Sequence, residues 1–453
     1  MLYQHQKTSV NFFKSTPKAC DFSDPGTGKT RVQIELLKDP SRRKALILAP
    51  KSILYSTWAE DISKFAPELT FSVATAANRQ AAFQKEADVY ITNHDAVKFL
   101  LSLPATFWKP FKTLIVDEAS AFKHPTAQRS KALAKLRVFF EYRYILTGTP
   151  CANTVLDLWH LVYLVDDGQR LGKSYYFYRS QVCTPIPGPG FTRWVDKADA
   201  ELKVAERIKD ITMRHKLEEC VDLPPTHLYV KPFYLTPKQY KVYRDLSRDH
   251  LAFLQDEAQV SAINAAAVVT KLLQIASGAV YDSEGVARLI ATERYDLILE
   301  LIEERKHSIV FFHWRHQRDE LSKRLLEADI PFRIIDGETS AKEAIAAVEL
   351  FQKGFLRVLL LHPQSAAHGL TLTKATTAIW TGPTYNLEHF LQGNRRIVRI
   401  SQTQKTEIIM IVAKNTIEEL VYDRLLVKDK TQTNLLSILQ DAVKQLELID
   451  DRL

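Results

Sequence analysis

The sequence predicts an α/β protein of two parallel-sheet lobes joined by a mostly helical insertion. Three observations carry this reading. Short apolar runs alternate with longer amphipathic stretches through the first 165 residues, the pattern breaks after Leu164, and a second series of the same kind begins near residue 286. Strands buried on both faces read as near-continuous apolar runs, and the helices that cross between parallel strands occupy the stretches between them. The expected division is 1–165 for lobe one, 166–285 for the insertion and 286–453 for lobe two.

In lobe one the expected strands are Ala19–Phe22, Ala45–Leu48, Val89–Thr92, Leu114–Val116 and Tyr144–Leu146. Residues 166–230 then become rich in Pro, Gly, aromatic and basic residues. Gln169–Lys216 holds ten Lys or Arg against five Asp or Glu, with Tyr175, Tyr176, Phe177, Tyr178 and Trp194 among them. Basic groups interleaved with aromatics can grip a nucleic acid; a packed insertion with a solvated basic face accounts for them as well. Residues 236–275 read as mostly helical. In lobe two, amphipathic Ala291–Lys306 leads into strands Ser308–Phe312, Phe332–Ile335, Arg357–Leu361, Thr377–Trp380 and Glu407–Val412, and a helical tail starts at Thr416. There is no internal repeat or low-complexity tract.

Composition narrows the classes. At 46% hydrophobic and 25% charged residues the chain resembles an ordinary globular protein. No apolar run approaches the roughly 18–20 residues of a membrane span, and the N-terminus does not read as a signal peptide. Cys20, Cys151, Cys183 and Cys220 form no zinc-ligand spacing and read as reduced thiols of a cytoplasmic protein. The net charge of +8 suits a polyanionic partner.

Four segments carry chemistry. Ser23-Asp-Pro-Gly-Thr-Gly-Lys-Thr30 lies between a strand and the expected helix Arg31–Leu37, the setting in which backbone N–H groups and a helix start bind phosphate. Asp24, Gly26, Thr27, Gly28, Lys29 and Thr30 are the candidate nucleotide contacts, with Lys29 on the β/γ-phosphates of ATP and the Thr30 hydroxyl on Mg²⁺. Leu114-Ile-Val-Asp-Glu-Ala-Ser120 ends an apolar strand in paired carboxylates, Asp117 for Mg²⁺ and Glu118 for the attacking water. Leu146-Thr-Gly-Thr-Pro150 is a polar turn after another buried strand. Gln392-Gly-Asn-Arg-Arg-Ile-Val-Arg399 offers Gln392, Arg396 and Arg399 as further catalytic candidates. The two arginines, three apart, are expected on one helix face, either stabilising a γ-phosphate or meeting solvent and phosphate backbone.

Taken in order, these segments resemble superfamily-two helicases, and others narrow the resemblance to the Swi/Snf-like ATPases. Leu2-Tyr-Gln-His-Gln6 with Val10-Asn-Phe-Phe13 is similar to that family's opening, where Gln6 matches the adenine-reading glutamine. Ile47-Leu-Ala-Pro-Lys-Ser52 with Trp58, and Ile91-Thr-Asn-His94, resemble the two segments that line the DNA path. Ile211-Thr-Met-Arg-His-Lys216, Leu223-Pro-Pro, Leu235-Thr-Pro-Lys-Gln, Tyr243-Arg-Asp-Leu and Lys271-Leu-Leu-Gln-Ile resemble the insertion peculiar to the family. Ile309-Val-Phe-Phe-His-Trp314, Asp336-Gly-Glu-Thr339, His368-Gly-Leu-Thr-Leu372 and the spacing of Tyr385, Asn386, Gln392, Arg396, Arg399 and Gln402 match its second lobe.

The resemblance covers nearly the whole chain. It implies two RecA-like lobes with ATP and Mg²⁺ between them, and a DNA-stimulated translocase or helicase, acting as a monomer on duplex or branched DNA such as forks and junctions. It also implies DNA contacts at Pro50, Lys51, Thr92, Asn93, His94, His313, His368 and Thr371. Three positions depart from the pattern: Ser120 stands where a histidine is usual, His368 where a glycine is, and Ser401 where a glycine precedes the last glutamine. None removes Lys29, Asp117, Glu118, Arg396 or Arg399. The overall form is that of a minimal motor from a bacterial or phage genome. An ATP-gated clamp that does not separate strands and an RNA helicase remain the alternatives.

Overall fold

The computed structural model describes residues 2–151, 154–188, 191–220, 224–256, 262–282, 284–366, 370–384, 386–399 and 402–426. Leu223, His368, Tyr385, Ser401 and the tail beyond residue 426 lie outside them. The chain divides into two compact units, Met1–Asp222 and Leu223–Leu453. The expected insertion is shared between them, its first part in one unit and its second in the other.

The first unit is built on a seven-stranded sheet. Its strands are β1 (Lys18–Asp21), β2 (Ala45–Ala49), β3 (Phe71–Ala74), β4 (Val89–Asn93), β5 (Thr113–Val116), β6 (Tyr142–Leu146) and, after the hairpin β7 (Cys183–Gly188)/β8 (Phe191–Asp196), β9 (Thr212–Met213). The order is β3-β4-β2-β5-β6-β1-β9, with every pairing parallel. Successive side chains alternate between faces. Leu46 and Leu48 enter one core with Leu114, Val116 and Trp108, whereas Ala45, Ile47 and Ala49 enter the opposite core with Phe13, Trp58 and Ile115. Both faces are covered, as a parallel sheet requires.

The second unit repeats the plan with six strands. β10 (Thr226–Phe233) joins β13 (Ser308–Phe311), β14 (Phe332–Ile335), β15 (Val358–Leu361), β16 (Thr377–Trp380) and β17 (Thr406–Ala413) in the order β10-β17-β16-β13-β15-β14, again all parallel. A small antiparallel pair, β11 (Ala279–Tyr281) with β12 (Ala287–Leu289), precedes β13. The α/β class with two parallel-sheet lobes therefore stands. Three strands of the two main sheets escape the sequence pattern, as do both antiparallel pairs. β3 and β10 are sheet edges with half-exposed or exposed side chains, so neither reads as a buried run, and β9 is two residues long. Among the described residues no helix is long and apolar enough to cross a membrane.

A buried ion pair ties the second unit's helices to its sheet. Arg294, in the first turn of the helix Glu293–Glu303, donates from both terminal nitrogens to Glu418 at 2.9 Å and from Nη1 to the Thr381 carbonyl at 2.9 Å. Glu418 Oε2 also accepts from the Ala413 amide at 2.7 Å, so its carboxylate joins the end of β17 to the helix Ile417–Leu426. Both side chains are almost wholly buried. Breaking such a pair from one side leaves an uncompensated charge in the interior. Glu418→Gln is expected to destabilise the second unit by about 3–5 kcal/mol in chemical denaturation; wild-type stability would mean that the arginine finds other acceptors.

Candidate functional site

The 23–30 segment follows β1 and enters the helix Lys29–Leu37. Gly26 and Gly28 have φ of 90° and 87°, values in the left-handed region that only glycine adopts cheaply. These two residues turn the loop so that its amides curl ahead of the helix start, where the helix dipole adds positive potential. Lys29 Nζ donates to the carbonyls of Ser23 at 2.6 Å and Asp24 at 3.2 Å, holding the ammonium within the loop. The Thr27 hydroxyl closes the turn on the Asp24 carbonyl at 2.8 Å.

Gln6 lies against this loop. Its amide nitrogen donates to the Thr27 carbonyl at 3.2 Å, and its amide oxygen accepts from the Tyr3 N–H at 3.1 Å. His5 Nε2 is 2.8 Å from the same carbonyl. A methyl group on Gly28 would lie 2.3 Å from Gln6 Nε2, so the glycine is what lets Gln6 approach.

β5 lies two places from β1 in the sheet, with β6 between them. The C-terminal ends of these strands therefore bring the phosphate loop, the 147–150 turn and the acidic pair to one edge of the sheet. The Thr147 amide donates to the Asp21 carbonyl at 3.1 Å, and a Cβ on Gly148 would meet the Pro25 ring at 2.5 Å. The turn after β6 thus packs directly on the loop after β1.

Asp117 is 7% exposed. One carboxylate oxygen accepts from the Trp58 indole N–H at 2.9 Å and the other from the Glu118 amide at 2.9 Å. His94 Nε2 stands 2.8 Å from the Asp117 carbonyl. Burial pushes the Asp117 carboxyl above its ordinary range, and the charge of Lys29 with the Trp58 and Glu118 hydrogen bonds pulls it back. Asp21, buried at the end of β1, is raised by burial in the same way and opposed first by Lys29; its Oδ1 accepts from the Ser23 amide at 3.0 Å. Glu118 has φ 46° and ψ 51°, a left-handed backbone that a glutamate adopts at a cost of about 1–2 kcal/mol. Strain of this kind concentrates at functional sites.

A contribution the sequence did not reveal comes from the 211–217 segment. β9 pairs with β1, and the pairing continues past the strand ends, with the Phe22 amide on the Met213 carbonyl at 2.8 Å and the Asp24 amide on the His215 carbonyl at 2.9 Å. Ser23 Oγ accepts from the His215 amide at 3.0 Å, and Asp24 Oδ2 from the Leu217 amide at 3.2 Å. The segment that most distinguished the family resemblance therefore braces the phosphate loop. Asp21, a carboxylate inside the apolar run Ala19–Phe22, was the sequence signal that passed unused.

In the second unit the helix Leu387–Asn394 is capped at its start by the Asn386 side chain and ends at Arg395. Arg396 and Arg399 follow it in a turn, which corrects the expectation that they share a helix face. Gly393 packs within 2.9–3.0 Å of the Phe311 and Trp380 rings when a Cβ is placed on it, and Trp380 Nε1 donates to Asn394 Oδ1 at 2.9 Å. Beyond this point the chain turns to meet the 370–375 loop. Arg396 Nη1 donates to the Leu370 carbonyl at 3.2 Å, and Arg399 Nη1 to Thr371 Oγ1 at 2.7 Å. Gln402 Nε2 donates to the carbonyls of Thr373, Ala375 and Ile397, each at 3.1 Å. Gln392 is buried on the same helix.

The expected DNA contacts fare unevenly. Lys51 is exposed, whereas Pro50 before it is buried. The Thr92 side chain is a core group, fully buried with its hydroxyl on the Ala74 carbonyl at 2.7 Å. His94 is buried against Phe122, with Nε2 on the Asp117 carbonyl. Asn93 accepts from Arg79 at 2.9 Å. His313 stacks on Trp380 with Nε2 3.2 Å from the Gly382 carbonyl, and burial pushes its pKa down to about 4, so it is neutral near pH 7. Thr371 is engaged by Arg399.

A glycine-shaped phosphate loop at a helix start, beside the buried Asp117 and the half-buried Glu118 at the same sheet edge, defines a P-loop nucleotide hydrolase. The SNF2-related domain matches residues 5–278, and the helicase conserved C-terminal domain matches residues 293–401. The chain belongs to the SNF2-related family and is an ATP hydrolase. It is 28% identical over 453 residues to putative protein p41 of Acyrthosiphon pisum secondary endosymbiont phage 1, covering 93% of this chain and 94% of that protein. It is 26% identical over 411 residues to an uncharacterized ATP-dependent helicase of Mycoplasma pneumoniae, covering 87% of this chain and 38% of that protein. It is 25% identical over 434 residues to the DNA annealing helicase and endonuclease ZRANB3 of Mus musculus, covering 93% of this chain and 39% of that protein. The chain thus spans nearly all of the phage protein but well under half of the other two.

Gly28→Ala tests the loop geometry. Its left-handed backbone alone is expected to cost about 1–2 kcal/mol, and the new methyl should displace Gln6. The expected outcome is a lower melting temperature together with weaker nucleotide binding. Unchanged nucleotide binding would separate Gln6 from the nucleotide site.

Proposed function

We propose that the chain is an ATP-driven motor on duplex or branched DNA. The observation that carries this reading is the gathering of Gln6, the 24–30 loop and the Asp117–Glu118 pair at one sheet edge, within a chain whose second unit holds Arg396 and Arg399 in one turn against the 370–375 loop. The net charge of +8 supports a polyanionic partner, and the ZRANB3 relative is named as a DNA annealing helicase.

The donor set fits Mg²⁺. One carboxylate of Asp117 and the Thr30 hydroxyl are hard oxygen ligands, and Mg²⁺ is commonly held by one or two carboxylates together with phosphate oxygens. When bound, Mg²⁺ would neutralise charge on the transferring phosphoryl group. Lys29 would exchange its loop carbonyls for phosphate oxygens. Gln6 would read the base, and Glu118 would orient the attacking water. Arg396 and Arg399 would stabilise the charge that develops on the γ-phosphate. The exposed Lys51 would contact phosphate backbone, so binding should depend strongly on salt and weakly on sequence.

The test is steady-state ATP hydrolysis without nucleic acid and with single-stranded DNA, duplex, fork, four-way junction or RNA. Stimulation by duplex or branched DNA is expected. RNA as the sole activator would make the chain an RNA helicase, and DNA binding without strand displacement or movement would make it a clamp. With saturating DNA, Lys29→Ala is expected to lower kcat by about 10²–10³-fold and Arg399→Ala by about 10³-fold or more. Wild-type turnover in either variant would remove that residue from the mechanism.

A further inference from the structure

Between β2 and β3 the chain makes a short 3₁₀ turn, Lys51–Ile53, and then a π-helical turn, Leu54–Ala59. π-Turns are rare and collect at functional sites, because the widened i→i+5 turn places side chains where an α-helix would not. β2 pairs with β5, Leu48 opposite Val116, so the segment leaving β2 passes the end of β5. Trp58 lies on this π-turn. It is fully buried in the core that also holds Phe13, Ile47 and Ile115, and its indole N–H donates to Asp117 Oδ2 at 2.9 Å.

Packing alone does not require that hydrogen bond. Trp108, equally buried in the opposite core of the same sheet, has no partner for its indole nitrogen among the described residues. A single indole N–H aimed at a catalytic carboxylate is a different arrangement. Together with the Glu118 amide on the other oxygen, it fixes the plane of the carboxylate. Groups that orient a metal-binding side chain in this way set its affinity for the ion.

We infer that Trp58 is a positioning residue that holds the Asp117 carboxylate in the orientation required for Mg²⁺ at the nucleotide. This rests on the assignment of Asp117 as the Mg²⁺ ligand. The connection between β2 and β3 begins at the exposed Lys51, so the segment that would offer a phosphate-backbone contact also carries the donor to the acidic site.

The experiment uses the full chain and a fluorescent ADP derivative, titrated with and without MgCl₂, for wild type, Trp58→Phe, Trp58→His and Asp117→Asn. Trp58→Phe keeps an aromatic ring and removes the N–H. It is expected to raise the Mg²⁺ concentration for half-maximal enhancement of binding by about 10–100-fold, with Mg²⁺-free affinity unchanged. Trp58→His, which retains a ring N–H, is expected to lose less. Wild-type Mg²⁺ dependence in Trp58→Phe, with the dependence lost in Asp117→Asn, overturns the inference and leaves Trp58 as packing. Wild-type Mg²⁺ dependence in Asp117→Asn overturns the site assignment instead. A variant that does not fold is replaced by indole ¹H–¹⁵N spectra of the wild type, which has six tryptophans. One indole resonance is expected to respond to Mg²⁺ with nucleotide and not to nucleotide alone, and the absence of any such response also overturns the inference.

Discussion

The first unit is organised around one requirement: a carboxylate that sits almost out of water at the end of a buried strand must have its oxygens satisfied. Asp117 meets it with two donors and one nearby charge. Trp58 comes from the turn after β2, the Glu118 amide from the strained residue next in the chain, and Lys29 contributes its charge from the loop after β1. His94, at the end of β4, holds the backbone of the same residue. The ends of four parallel strands thus converge because one buried charge needs all of them, and an unpaired buried charge would be costly.

The second unit solves a related problem with arginine. Its cationic side chains lie in a turn beyond a helix, where they cannot lean on regular helical hydrogen bonds. The 370–375 loop supplies what is missing. Arg396 and Arg399 bind it, and Gln402 bonds three carbonyls and caps two amides of its own turn. A planar guanidinium with fixed donors is well suited to being held this way.

Most of this was legible in the sequence where apolar periodicity and glycine chemistry speak directly. The central strands were visible as uninterrupted apolar runs, and the phosphate loop as glycines between a strand and a helix. Of the edge strands β14 was visible but β10 was not, because it carries Leu228, Tyr229 and Val230 exposed and only its last residue, Phe233, is buried. Residue roles were the least legible. Thr92 and His94 sit in a segment that resembles a DNA path, yet both side chains are buried, Thr92 by the alternation of faces along β4 and His94 in the short turn that follows it. The π-turn that aims Trp58 leaves no periodic trace.

The pairing of β1 with β9 has a practical side. His215 and Ser23 are 192 residues apart, yet their segments form one continuous ladder beneath the phosphate loop. A fragment cut where the first alternating series ends, near residue 165, would strip that cover away. β1 would then become an open edge, its amides and carbonyls free to template other chains. A fragment that runs through Leu217 ends instead on a two-residue strand, too short to recruit a neighbour.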